Sequence, residues 1–239
     1  MATRFYLRNT TQATGISPTP DAAWEDTSNL VRAVANTTPT ADAMADVVAP
    51  DDADDTDRDV ILRQYVSDEL TAGQTITGSQ AIKAQCRCGQ PDGTNNIFLT
   101  LGIRVLKADG VTVNKTVLAV TRDDVELPDA GVIENRQFTA TSAATNYTTQ
   151  TGDRLVIEIG GGGNPGGTGN HEFTLRLGDG AADDLPEDNT DTTDKRPWVE
   201  LTDTVIFVVA GDDSDGTKTP LSFYDLLPPG MGHYGVVGY

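Results

Sequence analysis

From residue 60 onward the chain alternates apolar and polar positions with a period of two, the spacing of strands that bury one face. Val60-Ile61-Leu62-Arg63-Gln64-Tyr65-Val66 predicts one strand, closed by the polar turn around Thr71-Ala72-Gly73. Ile82, Ala84, Cys86 and Cys88 share one face of the next, with Lys83, Gln85 and Arg87 on the other. After the turn at Pro91-Asp92-Gly93, Ile97, Leu99, Leu101, Ile103 and Val105 form the cleanest apolar face in the sequence, ended by Ala108-Asp109-Gly110. Further strands are predicted at 116–122, 136–140, 155–159 and 173–177. A last one sets Val199, Leu201, Val205, Phe207 and Val209 on one side.

Phe5 and Leu7 mark a short opening strand, but residues 9–59 read as mostly polar and irregular. Trp24, within Asp21-Ala-Ala-Trp24-Glu25-Asp26, and Leu30-Val31-Arg32-Ala33-Val34 supply the little apolar anchoring there, and 49–59 reads as a solvated acidic loop. Eight or nine strands with turn chemistry at their ends, and no convincing amphipathic helix, predict an all-β chain. Antiparallel sheets with one wet face usually give such alternation. The expected fold is an antiparallel β-sandwich or jelly roll with long polar loops and an extended C-terminal arm. Three segments follow: an N-terminal strand and irregular acidic arm over 1–59, a sandwich core over 60–210, and a Gly/Pro-rich apolar arm over 211–239.

Charge changes the picture more than length does. Asp outnumbers Glu 28 to 8 and Arg outnumbers Lys 12 to 5, giving a net charge of −19 over 239 residues. Such an excess makes a compact state repel itself in dilute buffer. In molar salt the Debye length falls to about 3 Å and the same surface costs little. Short carboxylates and scarce lysine point to high-salt adaptation; the alternative is simply an acidic surface. The acidity argues against nucleic acid, whose phosphates need a basic face. No run of about 18 apolar residues is present, so no membrane insertion is expected. The start has no apolar signal core, so synthesis in a cytoplasm is expected.

Candidate chemistry is sparse. Cys86 and Cys88 point the same way on one strand, which disfavours a mutual disulfide, and without a second pair they read as buried core thiols. Gly161-Gly162-Gly163-Asn164-Pro165-Gly166 matches G-x-G-x-x-G after a strand, but Pro165 and further glycines replace the required helix, so it reads as a flexible loop. Asp212, Asp213 and Asp215 are a weak candidate cation loop; Gly211 and Ser222 at the end positions exclude an EF-hand. No cofactor is expected beyond loosely held Na, K, Mg or Ca ions. His171 and His233 lack the i, i+4 partner of a helical metal site, and there is no G-x-S-x-G elbow, so no enzyme is expected. Trp24 and Trp198 are candidates for a sugar-binding face, with core or edge packing as the alternative. Asn9, Asn36, Asn114 and Asn146 begin N-x-Thr sequons, read as coincidence in a Thr-rich chain. The acid-poor arm offers Leu221, Phe223, Tyr224, Leu226, Leu227, Met231, Tyr234 and Tyr239 as interaction residues. Its alternatives are docking on a neighbouring subunit and folding back on its own domain.

Several segments together carry a resemblance. They are Arg4-Phe-Tyr-Leu-Arg8, Ser17-Pro-Thr-Pro-Asp-Ala-Ala-Trp24-Glu-Asp-Thr27, Ile61-Leu-Arg-Gln-Tyr-Val-Ser67 and Leu118-Ala-Val-Thr-Arg122. Asn135-Arg-Gln-Phe-Thr139, Gly152-Asp-Arg-Leu-Val-Ile-Glu-Ile159, Asp184-Leu-Pro-Glu-Asp188 and Pro197-Trp-Val-Glu-Leu201 continue it. The chain resembles virion structural proteins of tailed prokaryotic viruses over most of residues 3–207. The resemblance implies a β-sandwich virion component without a catalytic motif. Joined to the charge, it implies a virus of a halophilic archaeon. The expected role is a tail, baseplate or capsid-decorating subunit, partnered by copies of itself and other virion proteins. A module binding host surface glycan is the alternative.

Overall fold

A computed structural model describes residues 2–49, 56–91, 96–129, 131–163 and 172–208. Thirteen strands run through them: β1 (Thr3–Tyr6), β2 (Val31–Val34), β3 (Ala45–Ala49), β4 (Arg58–Glu69), β5 (Thr75–Ile76), β6 (Ala81–Gly89) and β7 (Ile97–Leu106), then β8 (Val113–Glu126), β9 (Glu134–Thr141), β10 (Tyr147–Thr148), β11 (Arg154–Gly163), β12 (Phe173–Leu177) and β13 (Trp198–Leu201). No helix among the described residues is long and apolar enough to cross a membrane.

Period-two patterning places the strands in two sheets. In the six-stranded sheet, β6 pairs with β9 over Ala81–Cys88, with β13 over Ile82–Gln85 and with β12 over Arg87–Gly89; β1 joins β13 and β3 joins β12. The five-stranded sheet has the order β2-β4-β11-β7-β8. A short β5–β10 pair stands apart. The result is an all-β sandwich. Its core is the inward alternation read from sequence: Leu99, Leu101, Ile103, Leu155, Ile157 and Ile159 from one sheet meet Ile82, Ala84, Phe138, Phe173, Leu175, Val199 and Leu201 from the other. Truncating one of the larger side chains among them to Ala leaves a cavity worth about 2–5 kcal/mol.

Three sequence expectations change. The stretch 9–59 is not merely irregular, because β2 and β3 lie within it, one in each sheet. Both are short and β3 carries Asp46, so neither shows a long alternating run. β2 pairs with β4 in parallel, Val31 opposite Arg63 through Val34 opposite Val66. The chain visits the other sheet as β3 between them, so no hairpin forces these two strands to be antiparallel. Finally, the glycines at 160–163 are strand rather than flexible loop. They end β11, paired to both β4 and β7. A Cβ on Gly160 would sit 1.9 Å from the Val60 carbonyl oxygen and one on Gly163 2.0 Å from that of Asn96, so close approach of backbone requires glycine. Residues 164–171, including His171, lie outside the described residues.

Candidate functional site

In β11 the run Leu155-Val156-Ile157-Glu158-Ile159 alternates faces, yet every member is buried. The outward side is therefore covered, and residues 10–30 cover it. Ile16 packs on Val66, Leu106 and Val156. Trp24 (4% exposed) donates from Nε1 to Oε2 of the fully buried Glu158 at 2.9 Å. Glu158 Oε1 accepts from Arg104 Nη2 at 2.5 Å and from Gln64 Nε2 at 2.8 Å. The same Arg104 nitrogen donates to the Thr19 carbonyl at 2.9 Å, and Arg104 Nε lies 3.5 Å from Asp21 Oδ2. Arg32 ties Gln64 and the Pro18 carbonyl together at 2.8 and 2.9 Å. At the strap's far end, Glu25 and Asp26 amides donate to the Asp59 carbonyl and Ile61 donates to that of Asp26. One buried carboxylate thus gathers an indole, a guanidinium and an amide. Removing one partner of such a pair strands the other charge in a dry site, at about 3–5 kcal/mol.

The six-stranded sheet is covered too, by residues 178–197, but with different chemistry. Val199 and Leu201 face the core, so Trp198 and Glu200 face outward. Trp198 is nevertheless 0% exposed. Its Nε1 donates to the Leu185 carbonyl at 2.9 Å, and the Arg4 guanidinium stacks 3.8 Å from its ring centroid. Around it Asp184 accepts from Arg4, Tyr6 and Arg196, and Glu187 accepts from Lys83. Asp194 accepts from Arg87 and Arg176. The Asn135 amide side chain reaches the carbonyls of Pro186 and Asp188 at 2.9 and 2.7 Å. These pairs lie at the rim, where each is worth about 0–1 kcal/mol.

The aspartates that dominate the composition turn out to hold loops. Asp42 accepts from the amides of Asn9 and Thr10, and Asp179 from those of Thr40 and Asp42. Asp109 accepts from Val111 and Thr112, Asp188 from Thr190 and Asp191, and Asp203 from Thr77. At Asp109 and Asp188 the amides lie two or three residues on, within reach of a carboxylate one carbon from the backbone, which suits Asp rather than Glu. In the acidic loop read as solvated, the described Asp57 and Asp59 pair with Arg122, and residues 183–194 supply the clips just described.

Other sequence candidates have clear fates. Cys86 and Cys88 are buried and free of any disulfide, and burial pushes the Cys86 thiol up to about 12. Trp24 and Trp198 are both covered, so neither presents an aromatic platform. Among the described residues no group of three or more His, Cys, Asp or Glu could hold a metal ion. Asp212, Asp213 and Asp215, the arm residues Leu221, Phe223, Tyr224, Leu226, Leu227, Met231, Tyr234 and Tyr239, and His233 lie outside the described residues. The Glu158–Arg104 pair was not anticipated, although it left a signal. Each is a single charge inside a run whose neighbours are apolar in both registers, Val-Ile-Glu158-Ile and Gly-Ile-Arg104-Val.

No known protein family and no curated protein matches this chain. Among solved structures, an alpha-amino acid ester hydrolase is similar at 10% identity over 84% of this chain and 36% of that one, with a TM-score of 0.44. A CocE/NonD family hydrolase from Staphylococcus aureus gives 11% identity, 85% and 36% coverage and a TM-score of 0.42. The VP2 subviral particle of infectious bursal disease virus gives 16% identity, 70% and 42% coverage and a TM-score of 0.28. The chain spans about a third of the length of those hydrolases. At these scores the likenesses carry no argument on function.

Proposed function

We propose that this chain is a structural subunit of a tailed-virus particle, part of the tail or baseplate or decorating the capsid, from a virus of a halophilic archaeon. The observation that carries the reading is a sandwich that covers the central strands of both outer faces with its own straps, leaving a rigid body. The segments resembling virion structural proteins fall within 3–207, and the compact unit is Met1–Phe207. In this role the protein acts mechanically and not as an enzyme. The sandwich sets spacing, and Leu221, Phe223, Tyr224, Leu226, Leu227, Met231, Tyr234 and Tyr239 of the arm engage neighbouring copies or other virion proteins. Symmetric repetition in the particle makes it a homo-oligomer there. A glycan-binding module built on Trp24 or Trp198 is disfavoured by the burial of both indoles.

Quantitative mass spectrometry of purified particles should find the chain at many copies; its absence would end this reading. Deleting residues 221–239 should reduce incorporation while leaving the sandwich folded. Unfolding of the sandwich would instead assign the arm to the core.

A further inference from the structure

A cavity of about 230 Å³ opens at one end of the sandwich, lined by residues 35–40, Asp68 and Phe207. Its loop is fixed at several points. Ala35 donates to the Val66 carbonyl, the Asn36 carbonyl accepts from Tyr6, and Thr40 is clipped through its amide and hydroxyl to Asp179. Phe207 is held from behind by Phe5, edge to face at 6.1 Å, and bridges to Leu70. The site is therefore preformed and would lose little entropy on filling.

Its lining combines polar side chains with one aromatic ring. The aspartates and threonines described above are engaged by backbone amides, arginines or one another. The side chains of Asn36, Thr37, Thr38 and Asp68 make no hydrogen bond or ion pair to another described residue, and all four line this cavity beside an aromatic ring. A carboxylate, two hydroxyls and an amide, all unengaged, can bind a ligand carrying several hydroxyls. The Phe207 ring suits an apolar C–H face. A lone carboxylate is a poor cation cage, and a net charge of −19 repels anions. The volume lies below the roughly 300–1,000 Å³ of drug-sized sites, which suits a single sugar ring.

We propose that this cavity binds a neutral hexose unit of a glycan. Asp68 would accept from two neighbouring hydroxyls, Asn36, Thr37 and Thr38 would complete the polar contacts, and Phe207 would stack on the ring's C–H face. The site is separate from both buried tryptophans and does not depend on the virion reading, which particle mass spectrometry tests on its own.

The test is an amide-resolved NMR titration of the full chain with methyl α-D-glucopyranoside, methyl α-D-mannopyranoside and methyl β-D-galactopyranoside. At least one should shift the amides of residues 36–40, Asp68 and Phe207, with a dissociation constant on the order of millimolar. Asp68 and Thr38 are exposed, so Asp68→Ala and Thr38→Ala spare the core; each should weaken binding about 10-fold, the loss of one good polar contact. Two results would overturn the proposal: no shifts with any of the three glycosides, or binding that Asp68→Ala leaves unchanged. Occupation of the cavity by the chain's own arm would show as the first of these.

Discussion

The two straps do the same job with opposite chemistry. Residues 10–30 cover the five-stranded sheet through one fully buried carboxylate, Glu158, and an apolar contact at Ile16. Residues 178–197 cover the six-stranded sheet through a ring of partly exposed ion pairs around a buried Trp198. Charge in a dry site is expensive to disturb, whereas rim charge is cheap and salt-sensitive. The first strap is therefore integral to the fold, and the second can open locally without global unfolding. Covering the sheets in this way also uses the aspartate excess internally, so the acidity serves loop anchoring as well as solvation.

The largest effect should come from the buried strap. Glu158→Gln replaces a carboxylate that accepts from Arg104, Gln64 and Trp24 with an amide that cannot accept from all three. It should cost about 3–5 kcal/mol in chemical denaturation, because Arg104 loses its buried counter-charge. A cost near zero would mean that the strap is not coupled to the sheet.

Acid should act on the other strap first. The hydrogen bond from Lys195, with those from Thr193, holds Asp191 down to about 2, and Arg176 holds Asp194 below its ordinary value. Groups whose carboxyl is depressed in the fold stabilise it above the unfolded value of 3.8, and that contribution is lost as pH falls toward 2. Amides of residues 183–196 should therefore lose exchange protection between about pH 4 and pH 2, before the β7 and β11 amides do.

Asp123 has the opposite sign. Burial, with the neighbouring Asp124 charge, pushes it up to about 6, and its Oδ2 has no hydrogen-bond partner. The folded state then binds a proton that the unfolded state has released, so stability falls as pH rises from about 4 to 6. Asp123→Asn should stabilise the protein by up to about 1 kcal/mol at pH 7, allowing for solvent screening, and by nothing at pH 4. A gain at both values would point to packing rather than charge.

The smallest effect belongs to a single rim clip. Asp194→Asn should cost about 0.5 kcal/mol in dilute buffer and less in 1 M salt, where screening has already weakened the pair. The whole protein should move the other way, gaining stability with salt as the self-repulsion of its −19 charge is screened. Equal stability at low and high salt would leave the acidic surface without a high-salt rationale.

The inner half of this molecule was legible in its sequence. Ile97 to Val105 and Leu155 to Ile159 alternate cleanly because a strand interleaves its faces, and all of these inward positions reach the core. The outer half was not. Period two says which residues share a face but not whether water or chain covers it, so alternation alone does not mark Gln64, Arg104 and Glu158 as covered. Trp24 was legible as an anchor, though its partner, 134 positions away, was not. β2 and β3 escaped notice because four or five residues give too short a pattern, and their pairing depends on distant strands. The glycines after Ile159 looked like a loop because composition cannot show that a neighbouring carbonyl leaves no room for a Cβ.

Native-state hydrogen exchange on the whole chain tests the central contrast most directly. The amides of Glu25 and Asp26 should exchange only with global unfolding, while those of Thr190, Asp191 and Thr193 should exchange through local opening that increases with salt. Exchange of the 25–26 amides before those of 190–193, or identical behaviour of the two straps, would contradict it.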